Sequence, residues 1–464
     1  MWPSAVQRAS ASASCVRCRD DYVYDTIRRA IPFCKARVLA FCYNEDAVAL
    51  HDNMKRILFV AGEPSGDMNG AYVVRALKAC VSDLDAYGVG GPEMDAVGFR
   101  SIHNITELSV IGAIEPIRHF PRLKRVFDDL LQRIATDTPD AVVLIDYPGF
   151  NLRLAKRIKR AHPSLPVIYF ISPQIWAWGH RRIHTIRRVI DLMLVLFPFE
   201  VDVYEKGGRW REHNGRWVIR EHHFWRPSPM QTRYVGHPLV HRLERFVPDA
   251  DFRTRHGVDA DRPIVALLPG SRANEITTIF PVMLQATELL RQQMPEVQIL
   301  ISCGQPGLEP LMHRVVARAS IADFAQHYRI IPQALHNIVH ISDLVIAKSG
   351  TSAFEAALLL KPVLVLYRIH WIGAMLLRRL ASIPYVNLAN IIAGRRIVPE
   401  FLQEQMQPAA VAASALRLLQ NRDAYATVVR DLRAVREVLG HGDPGARAAH
   451  EICRFLDWPC HPPS

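Results

Sequence analysis

The sequence predicts an α/β protein built from two doubly wound halves that face each other across a cleft. Its 464 residues exceed the roughly 250 to 300 at which a single hydrophobic core stops growing. Nearly half of the residues are hydrophobic and an ordinary 22% are charged, so the chain can bury a large core. Short runs typical of buried strands alternate with longer helical runs, and the alternation occurs twice. This pattern predicts two parallel sheets wrapped by helices.

The first alternation covers residues 54–240 and the second covers residues 241–464, with a charged, strand-free boundary at 237–261. In the first half, strands are predicted at 57–60, 141–145 and 167–170, and helices at 70–80 and 152–161. In the second half, strands are predicted at 264–268, 298–302, 343–347 and 362–367, and helices at 279–292 and 352–360. The last helix is a candidate to return to the first half. A ligand is expected in the cleft, at the carboxyl ends of the strands.

The first 53 residues lack clear periodicity, and Met54 precedes the first predicted strand. We expect an upstream extension here, disordered or arising from a misassigned start, with a targeting segment as the alternative. Cys15 and Cys18 are spaced as in some zinc sites, but no second pair follows at a suitable distance, so no metal is predicted. Eight scattered cysteines fit a reducing cytosol better than a disulfide framework.

The charge balance, 57 basic against 45 acidic residues, predicts an anionic partner. Nucleic acid, anionic lipid and a phosphorylated substrate all fit, but no nucleic-acid recognition motif is found, so nucleic acid is not predicted as a partner. No uncharged apolar run reaches the roughly 18 residues that span a bilayer. The run at 189–199 is short and contains Asp191. Any membrane contact is therefore predicted to be peripheral.

A glycine-containing loop, Gly62-Glu63-Pro64-Ser65-Gly66-Asp67, follows the first strand and opens a helix. Free backbone N–H groups and the helix dipole at such a point favour an anion or a sugar hydroxyl. A tight turn in which Ser65 or Asp67 caps the helix is the alternative. The loop lacks the G-x-G-x-x-G spacing of dinucleotide sites, so no nicotinamide cofactor is predicted.

Asp146 directly follows the apolar strand at 141–145. A carboxylate at the carboxyl end of a parallel strand lies where open α/β sheets keep their active groups. Asp146 is therefore predicted to be a general base that accepts a proton from an attacking hydroxyl, with a cap or turn residue as the alternative.

Two loops of the second half suit a diphosphate. Gly270-Ser271-Arg272 ends a strand and offers a guanidinium fork for diphosphate oxygens, a surface salt bridge being the alternative. Ser349-Gly350-Thr351 starts a helix directly after a strand, where unobstructed N–H groups can bind a diphosphate. Glu355 lies about one turn further on and could accept hydrogen bonds from both ribose hydroxyls.

Several tryptophans have two possible roles. Trp176 and Trp178 could stack on a sugar or fill a core, and we expect one of the two in the core. Residues 209–233 are dense in Trp, Arg and His around Asn214-Gly215, a strong hairpin turn signal. A basic, aromatic hairpin suits a lipid–water interface, and a disordered surface insertion is the competing interpretation.

Taken in order, these motifs resemble those of lipid-A-disaccharide synthases, inverting glycosyltransferases of Gram-negative bacteria with two Rossmann-like domains (the GT-B fold). The resemblance covers about residues 54–457. It rests on an ordered set of segments at 60–67, 145–151, 172–178, 236–238, 268–272, 349–351 and 387–390.

The resemblance implies transfer of a 2,3-diacylglucosamine unit from its UDP derivative to 2,3-diacylglucosamine 1-phosphate. The products would be a β-1,6-linked disaccharide and UDP, formed without a cofactor at the cytoplasmic face of the inner membrane. Asp146 matches the catalytic base, and Arg272 matches a group that stabilises the departing charge. The implied donor-binding residues are Ser271, Ser349, Gly350, Thr351, Glu355 and Asn390. The implied acceptor-side residues are Gly62, Glu63, Ser65, Gly66, Asp67 and Asn151.

The chain departs from the family pattern in an insertion at 207–233 and in its first 53 residues. Gly149 also stands where some members carry Asp, so no second carboxylate is expected near Asp146. The alternatives are another UDP-sugar enzyme of the same fold, such as an N-acetylglucosaminyl transferase or an epimerase, and a non-catalytic lipid-binding relative.

Overall fold

The computed structural model describes residues 54–108, 116–221, 229–321, 323–369 and 381–460. Its strands form two parallel sheets and one antiparallel hairpin. The strands of the first sheet are β1 (Lys55–Ala61), β2 (Leu84–Gly90), β3 (Arg100–Asn104), β4 (Ala141–Ile145), β5 (Val167–Phe170), β6 (Leu192–Val195) and β9 (Gln231–Tyr234). The hairpin consists of β7 (Arg209–His213) and β8 (Arg216–Arg220). The strands of the second sheet are β10 (Ile264–Leu268), β11 (Gln298–Cys303), β12 (Tyr328–Pro332), β13 (Leu344–Lys348), β14 (Val363–Tyr367) and β15 (Glu400–Leu402).

Helices cover both sheets. In the first half they are α1 (Pro64–Cys80), α2 (Pro92–Asp95), α3 (Pro116–Asp137), α4 (Pro148–Ala161), α5 (Ile183–Val189), α6 (Pro198–Lys206) and α7 (Pro238–Glu244). In the second half they are α8 (Phe252–Arg255), α9 (Ala273–Thr278), α10 (Phe280–Arg291), α11 (Glu309–Ala319), α12 (Phe324–His327), α13 (Leu335–Ile341), α14 (Thr351–Leu358), α15 (Leu388–Ala393), α16 (Pro408–Gln420), α17 (Arg422–Val438) and α18 (Pro444–Phe455). Single 3-10 turns lie at Ile105–Glu107, His180–Arg182, Pro306–Leu308 and Gln403–Gln405.

Local sequence explains these elements well. Every residue of β4 is fully buried, as expected for a parallel sheet that has helices on both faces. Many helices begin at a proline, whose fixed φ and missing N–H suit the first helical position. The strands predicted at 141–145, 167–170 and 264–268 are confirmed to the residue.

Each sheet has a point at which the strand order reverses. The first sheet runs β3-β2-β1-β4-β5-β6-β9 and reverses between β1 and β4, while the second runs β12-β11-β10-β13-β14-β15 and reverses between β10 and β13. The paired strand ends are Ala61 with Ile145 and Leu268 with Ala347. Open α/β sheets bind ligands in the crevice at such reversals, so both halves present a binding edge.

The two halves are joined by more than the connection at α7 and α8. Helix α18, at the end of the second half, packs against α1 of the first half. The packing is so close that a Cβ added at Gly445 would lie 2.7 Å from the Cβ of Tyr72. The Tyr234 hydroxyl donates to the Leu439 carbonyl oxygen. The chain from Lys55 onward accordingly forms one compact unit.

The insertion contains the predicted hairpin. β7 and β8 pair antiparallel, and both turn residues have positive φ, 50° at Asn214 and 74° at Gly215, as a tight hairpin turn requires. Trp210 is buried against Phe199, and Trp217 turns towards the second half. Because 209–213 and 216–220 form paired strands, the interpretation of 209–220 as a disordered insertion is wrong. The interpretation as a lipid-facing hairpin stays a prediction, and 222–228 lies outside the described residues.

Within the described ranges, no helix is both long and apolar enough to cross a membrane. The predicted extension, with Cys15 and Cys18, lies outside the described residues.

Candidate active site

The reversal in the first sheet brings together the two loops predicted there. The loop at 62–67 follows β1, and Asp146 follows β4. The ring of Tyr147 lies directly over Gly62, where an added Cβ would come within 2.4 Å of it. Gly62 is therefore needed for close packing of the loop against the end of β4.

Asp146 and Tyr147 both have left-handed backbone conformations, with φ of 46° and 48°. Two consecutive non-glycine residues in this region are costly and are characteristic of functional sites. The surroundings hold the strained pair in place. The Asp146 N–H donates to the Phe170 carbonyl oxygen at 2.9 Å, and the Asp146 carbonyl oxygen accepts from the Tyr169 hydroxyl at 2.5 Å and from Asn151 Nδ2 at 2.8 Å.

The Asp146 carboxyl is half-buried and suited to proton transfer. Burial, followed by repulsion from the Glu63 carboxylate, raises the pKa of Asp146 to about 6, although the Tyr147 N–H opposes the shift. Glu63 is thus a second carboxylate close enough to act on Asp146, which corrects the expectation that none would be present. A Cβ added at Gly149 would have no neighbour within 4 Å, so there is room for a side chain at this position.

Two predicted acceptor-side residues have structural roles instead of direct access to the cleft. The Asp67 carboxylate is buried and accepts hydrogen bonds from the backbone N–H groups of Gly91, Glu93 and Met94 at 2.8 to 3.1 Å. Asn151 is fully buried. Its Nδ2 donates to the carbonyl oxygens of Val60 in β1, Ile145 in β4 and Asp146. Asn151 therefore positions Asp146, and Asp67 fixes the neighbouring loop.

In the second half, the Gly270-Ser271-Arg272 loop wraps around Glu275. A side chain at Gly270 (φ 122°) would come within 2.3 Å of Glu275 Oε2, and the Ser271 N–H donates to that oxygen at 3.0 Å. Lys348 Nζ pairs with Glu275 Oε1 at 2.9 Å. Burial alone would raise the pKa of Glu275, but the Lys348 contact lowers it overall. Arg272 is exposed beside this pair.

The start of α14 faces the same space. Ser349 is buried and donates through Oγ to the Val386 carbonyl oxygen at 3.3 Å, and Gly350 precedes the helix at Thr351. Glu355 is buried one turn later and accepts a hydrogen bond from Arg242 of α7, with His336 Nε2 at 3.5 Å. Arg242, at the boundary between the halves, therefore joins α7 to the carboxylate predicted for ribose binding.

Asn390 is not available to a donor, which corrects its predicted role. Its side chain is fully buried, and its Nδ2 donates to the Val398 carbonyl oxygen and to Glu400 at 3.0 and 2.8 Å. Its Oδ1 accepts from the N–H groups of Ile397 and Val398. The amide is thus satisfied within the protein, and Asn390 holds the loop after α15.

Three cavities meet at Thr351. The Arg272 cavity, of about 380 Å³, includes Ser271, Arg272 and Glu355. The central cavity, of about 250 Å³, lies between the halves and includes Ser65 and Arg242. The tryptophan cavity, of about 740 Å³, is lined largely by aromatic and aliphatic residues, and Thr351 lines all three.

A fourth cavity, which we call the basic groove, opens next to Asp146 on the first half. Its apolar floor includes Phe127, Tyr147 and Phe150, and its volume is about 660 Å³. One wall is an exposed basic stripe at helical spacing on α4. The stripe consists of Arg153, Lys156, Arg157 and Arg160.

Sequence reasoning missed Glu200 and the role of His237. Glu200 is buried and accepts from Ser172 Oγ at 2.5 Å and Trp176 Nε1 at 2.9 Å, and burial raises its pKa to about 7 despite these bonds. Burial lowers the pKa of His237 to about 3, and its Nδ1 accepts from the Leu239 N–H at 3.1 Å. Both residues shape the central cavity, but each is recognisable only from contacts made in the folded chain.

The tryptophan prediction is confirmed. Trp176 is 2% exposed and packs in the core, whereas Trp178 is 46% exposed and stacks under Arg182.

Two binding edges facing one cleft, with a carboxylate on one side and a basic, glycine-containing turn on the other, define a glycosyltransferase-like enzyme of the GT-B fold. Comparison with solved structures supports the fold. An S. aureus MnaA–UDP complex aligns with a TM-score of 0.56 at 13% identity, covering 87% of this chain and 97% of that one. A UDP-N-acetylglucosamine 2-epimerase aligns with a TM-score of 0.55 at 14% identity and the same coverage.

The family model for lipid-A-disaccharide synthetase matches residues 57–212 and 220–448. The lipid-A-disaccharide synthase of Anaeromyxobacter dehalogenans strain 2CP-C is 36% identical over 405 residues, 86% of this chain and 96% of the relative. That of Trichlorobacter lovleyi is 34% identical over 408 residues, 87% of this chain and 98% of the relative. The chain belongs to the lipid-A-disaccharide synthase family and is a glycosyltransferase of lipid A biosynthesis.

Proposed function

We propose that this enzyme transfers 2,3-diacylglucosamine from its UDP derivative to the 6-hydroxyl of 2,3-diacylglucosamine 1-phosphate, with Asp146 as the base. The observation that carries the proposal is the strained, half-buried Asp146 at the reversal point of the first sheet, together with the basic turn at the reversal of the second. A pKa near 6 leaves this carboxyl mostly ionised at neutral pH and basic enough to accept a proton in the transition state.

The chemical step is a displacement at the anomeric carbon. Asp146 accepts the hydroxyl proton as the acceptor oxygen forms a bond to that carbon, and the bond to the UDP oxygen breaks. The electron pair of the broken bond leaves with UDP. Attack from the face opposite the leaving group inverts the donor's configuration and gives a β-linked product.

The second half stabilises the leaving group. Arg272 can place its guanidinium against diphosphate oxygens, while the N–H groups at the start of α14 and the helix dipole favour the same negative charge. Lys348, held by Glu275, adds positive charge to this cavity. Glu355 is assigned to the ribose and Ser271 to the diphosphate, while the second carboxylate of the Arg272 cavity, Glu275, is paired with Lys348.

The acceptor approaches from the basic groove. Its apolar floor suits acyl chains, and its basic stripe suits the 1-phosphate and the headgroups of an anionic bilayer. Tyr147 and Gly149, which follow Asp146 closely in the chain, line this groove, and this supports an acceptor site beside the base. The enzyme then acts as a peripheral protein on the cytoplasmic face of the inner membrane.

The direct test supplies the purified enzyme with both acylated monosaccharides and measures UDP release together with disaccharide formation. We expect one UDP for each disaccharide, and little UDP when either substrate is omitted. UDP release without disaccharide, or turnover of unacylated UDP-N-acetylglucosamine alone, would favour a hydrolase or an epimerase and would contradict the proposal.

A further inference from the structure

The hairpin β7–β8 spans the cleft and forms a wall of the tryptophan cavity. It is attached to the first half by Trp210, whose ring centroid lies 5.2 Å from that of Phe199, and by Lys206, which pairs with Glu221 at 3.1 Å. On its other side, the Trp217 N–H donates to the carbonyl oxygen of Gly394 at 2.6 Å. A side chain at Gly394 would come within 2.2 Å of the Trp217 carbonyl oxygen, so the two backbones pack without space between them.

The tip of this hairpin lies outside the match to the family model. The model matches residues up to 212 and resumes at 220, so residues 213–219, including Trp217, are not covered by it. The Trp217 side chain is half-buried and lines the tryptophan cavity. A residue outside the matched ranges therefore contributes to a cavity that reaches the start of α14.

The cavity has the chemistry of a site for an apolar group. Facing Trp217 are Trp178 from the first half and Tyr367, Ile383, Tyr385 and Leu402 from the second. Polar groups lie at one side, where Lys348, Ser349, Gly350 and Thr351 line it. Pockets lined mainly by apolar and aromatic side chains, with a few polar groups at one side, fix the orientation of amphipathic ligands.

We propose that the tryptophan cavity holds an acyl chain of the donor and that Trp217 sets the chain length it accepts. The inference rests on the proposed function, because that function places the donor's diphosphate on Ser349 to Thr351. A donor held there carries its acylated sugar beyond the diphosphate, and the adjoining volume of about 740 Å³ is the apolar space next to it. An acyl chain that enters this space leaves water and contacts aromatic side chains. The free energy gained is proportional to the apolar area buried.

Trp217 is suited to a role in donor specificity because its backbone contacts Gly394 while its side chain lines the cavity. The contact with Gly394 is made by backbone atoms, so a side-chain substitution leaves the connection between the halves in place. The indole itself fills part of the cavity. Shortening it enlarges the space available to a longer chain and removes contacts from a chain of the native length.

The experiment measures kcat/KM for a series of UDP-diacylglucosamine donors with short, medium and long acyl chains, using the full-length enzyme in mixed micelles and one fixed acceptor. For W217A we expect kcat/KM with the preferred donor to fall about tenfold, mainly through KM, and the optimum to move to longer chains. W217L should show an intermediate shift, and W217F should keep the native optimum. The matched control is R211A, an exposed residue of the same hairpin, which should leave the profile unchanged.

The UDP affinity of each variant distinguishes a change in acyl-chain specificity from a general loss of donor binding. It should be the same in wild type, W217A and R211A, since the Arg272 cavity is untouched. A W217A or W217L enzyme with the wild-type chain-length profile overturns this inference and leaves the proposed function standing. A wild-type enzyme that releases no UDP from any acylated donor overturns the proposed function itself.

Discussion

The two halves of this protein present the same kind of sheet edge but carry different chemical groups on it. At the reversal of the first sheet there is one titratable carboxyl on a strained backbone, with a second carboxylate, Glu63, acting on its pKa. At the reversal of the second sheet there are two basic side chains, Arg272 and Lys348, and a helix start rich in N–H groups. The first edge is suited to moving a proton, and the second to holding an anion that gains charge as it leaves.

This difference shows how one fold can separate chemistry from binding. Proton transfer requires a group whose charge can change near neutral pH, whereas leaving-group stabilisation requires charges that do not change. Placing them on opposite halves lets each edge keep its own electrostatic environment. Substitutions at the first sheet edge should therefore lower kcat, and those at the second edge should weaken donor binding and lower kcat/KM for the donor.

The largest effect is expected for Asp146→Asn. The amide is nearly isosteric but cannot accept the proton, so kcat should fall by about 10² to 10⁴, while UDP affinity should change little. Steady-state kinetics and calorimetric titration with UDP on the same preparation measure both quantities. Asp423→Asn, an exposed change on α17, is the control. Near-wild-type turnover in Asp146→Asn would remove Asp146 from the proton-transfer role.

A smaller effect is expected for Arg272→Ala, on the opposite half. The loss of the guanidinium should lower kcat/KM for the donor about a hundredfold and weaken UDP binding, because diphosphate contacts and leaving-group stabilisation are lost together. The KM for the acceptor should stay near the wild-type value. Arg245→Ala, an exposed residue after α7, controls for the loss of charge. If donor kinetics were unaltered, the division of labour between the halves would be wrong.

The smallest effect is expected for Glu63→Gln, which keeps the size of the side chain and removes its negative charge near Asp146. Removing a carboxylate that raises the pKa of Asp146 should lower that pKa by less than about one pH unit, and kcat at neutral pH should stay within a few-fold of wild type. The pH dependence of kcat/KM measures the shift, with Glu93→Gln as an exposed control. A shift to higher pH would mean that Glu63 does not repel the ionised base.

The sequence predicted the features that depend on local pattern. The strand β4, the position of Asp146 after it and the turn at Ser349 to Thr351 all follow from apolar runs that end in polar or small residues. Because strand ends meet at a sheet reversal, those residues could be assigned to one cleft before any contact was known.

Features that depend on long-range contacts could not be predicted. Asn390 looks like a ligand-binding amide in the sequence, but its four hydrogen-bonding positions are used by 397–400, and this is decided by how the loop folds. The proximity of Glu63 to Asp146 arises from the pairing of β1 with β4. Trp217 faces the tryptophan cavity only because the hairpin crosses to Gly394.

The central claim, that the carboxylate of Asp146 is the base, is tested most directly by the pH dependence of kcat/KM in the wild-type enzyme. Because the base must be deprotonated and burial raises the pKa of Asp146 to about 6, kcat/KM should be constant above this value and fall about tenfold per pH unit below it. An acid limb centred near pH 6 that disappears in Asp146→Asn is the predicted result. A profile without an acid limb down to roughly pH 5, or one that Asp146→Asn leaves unchanged, would contradict it.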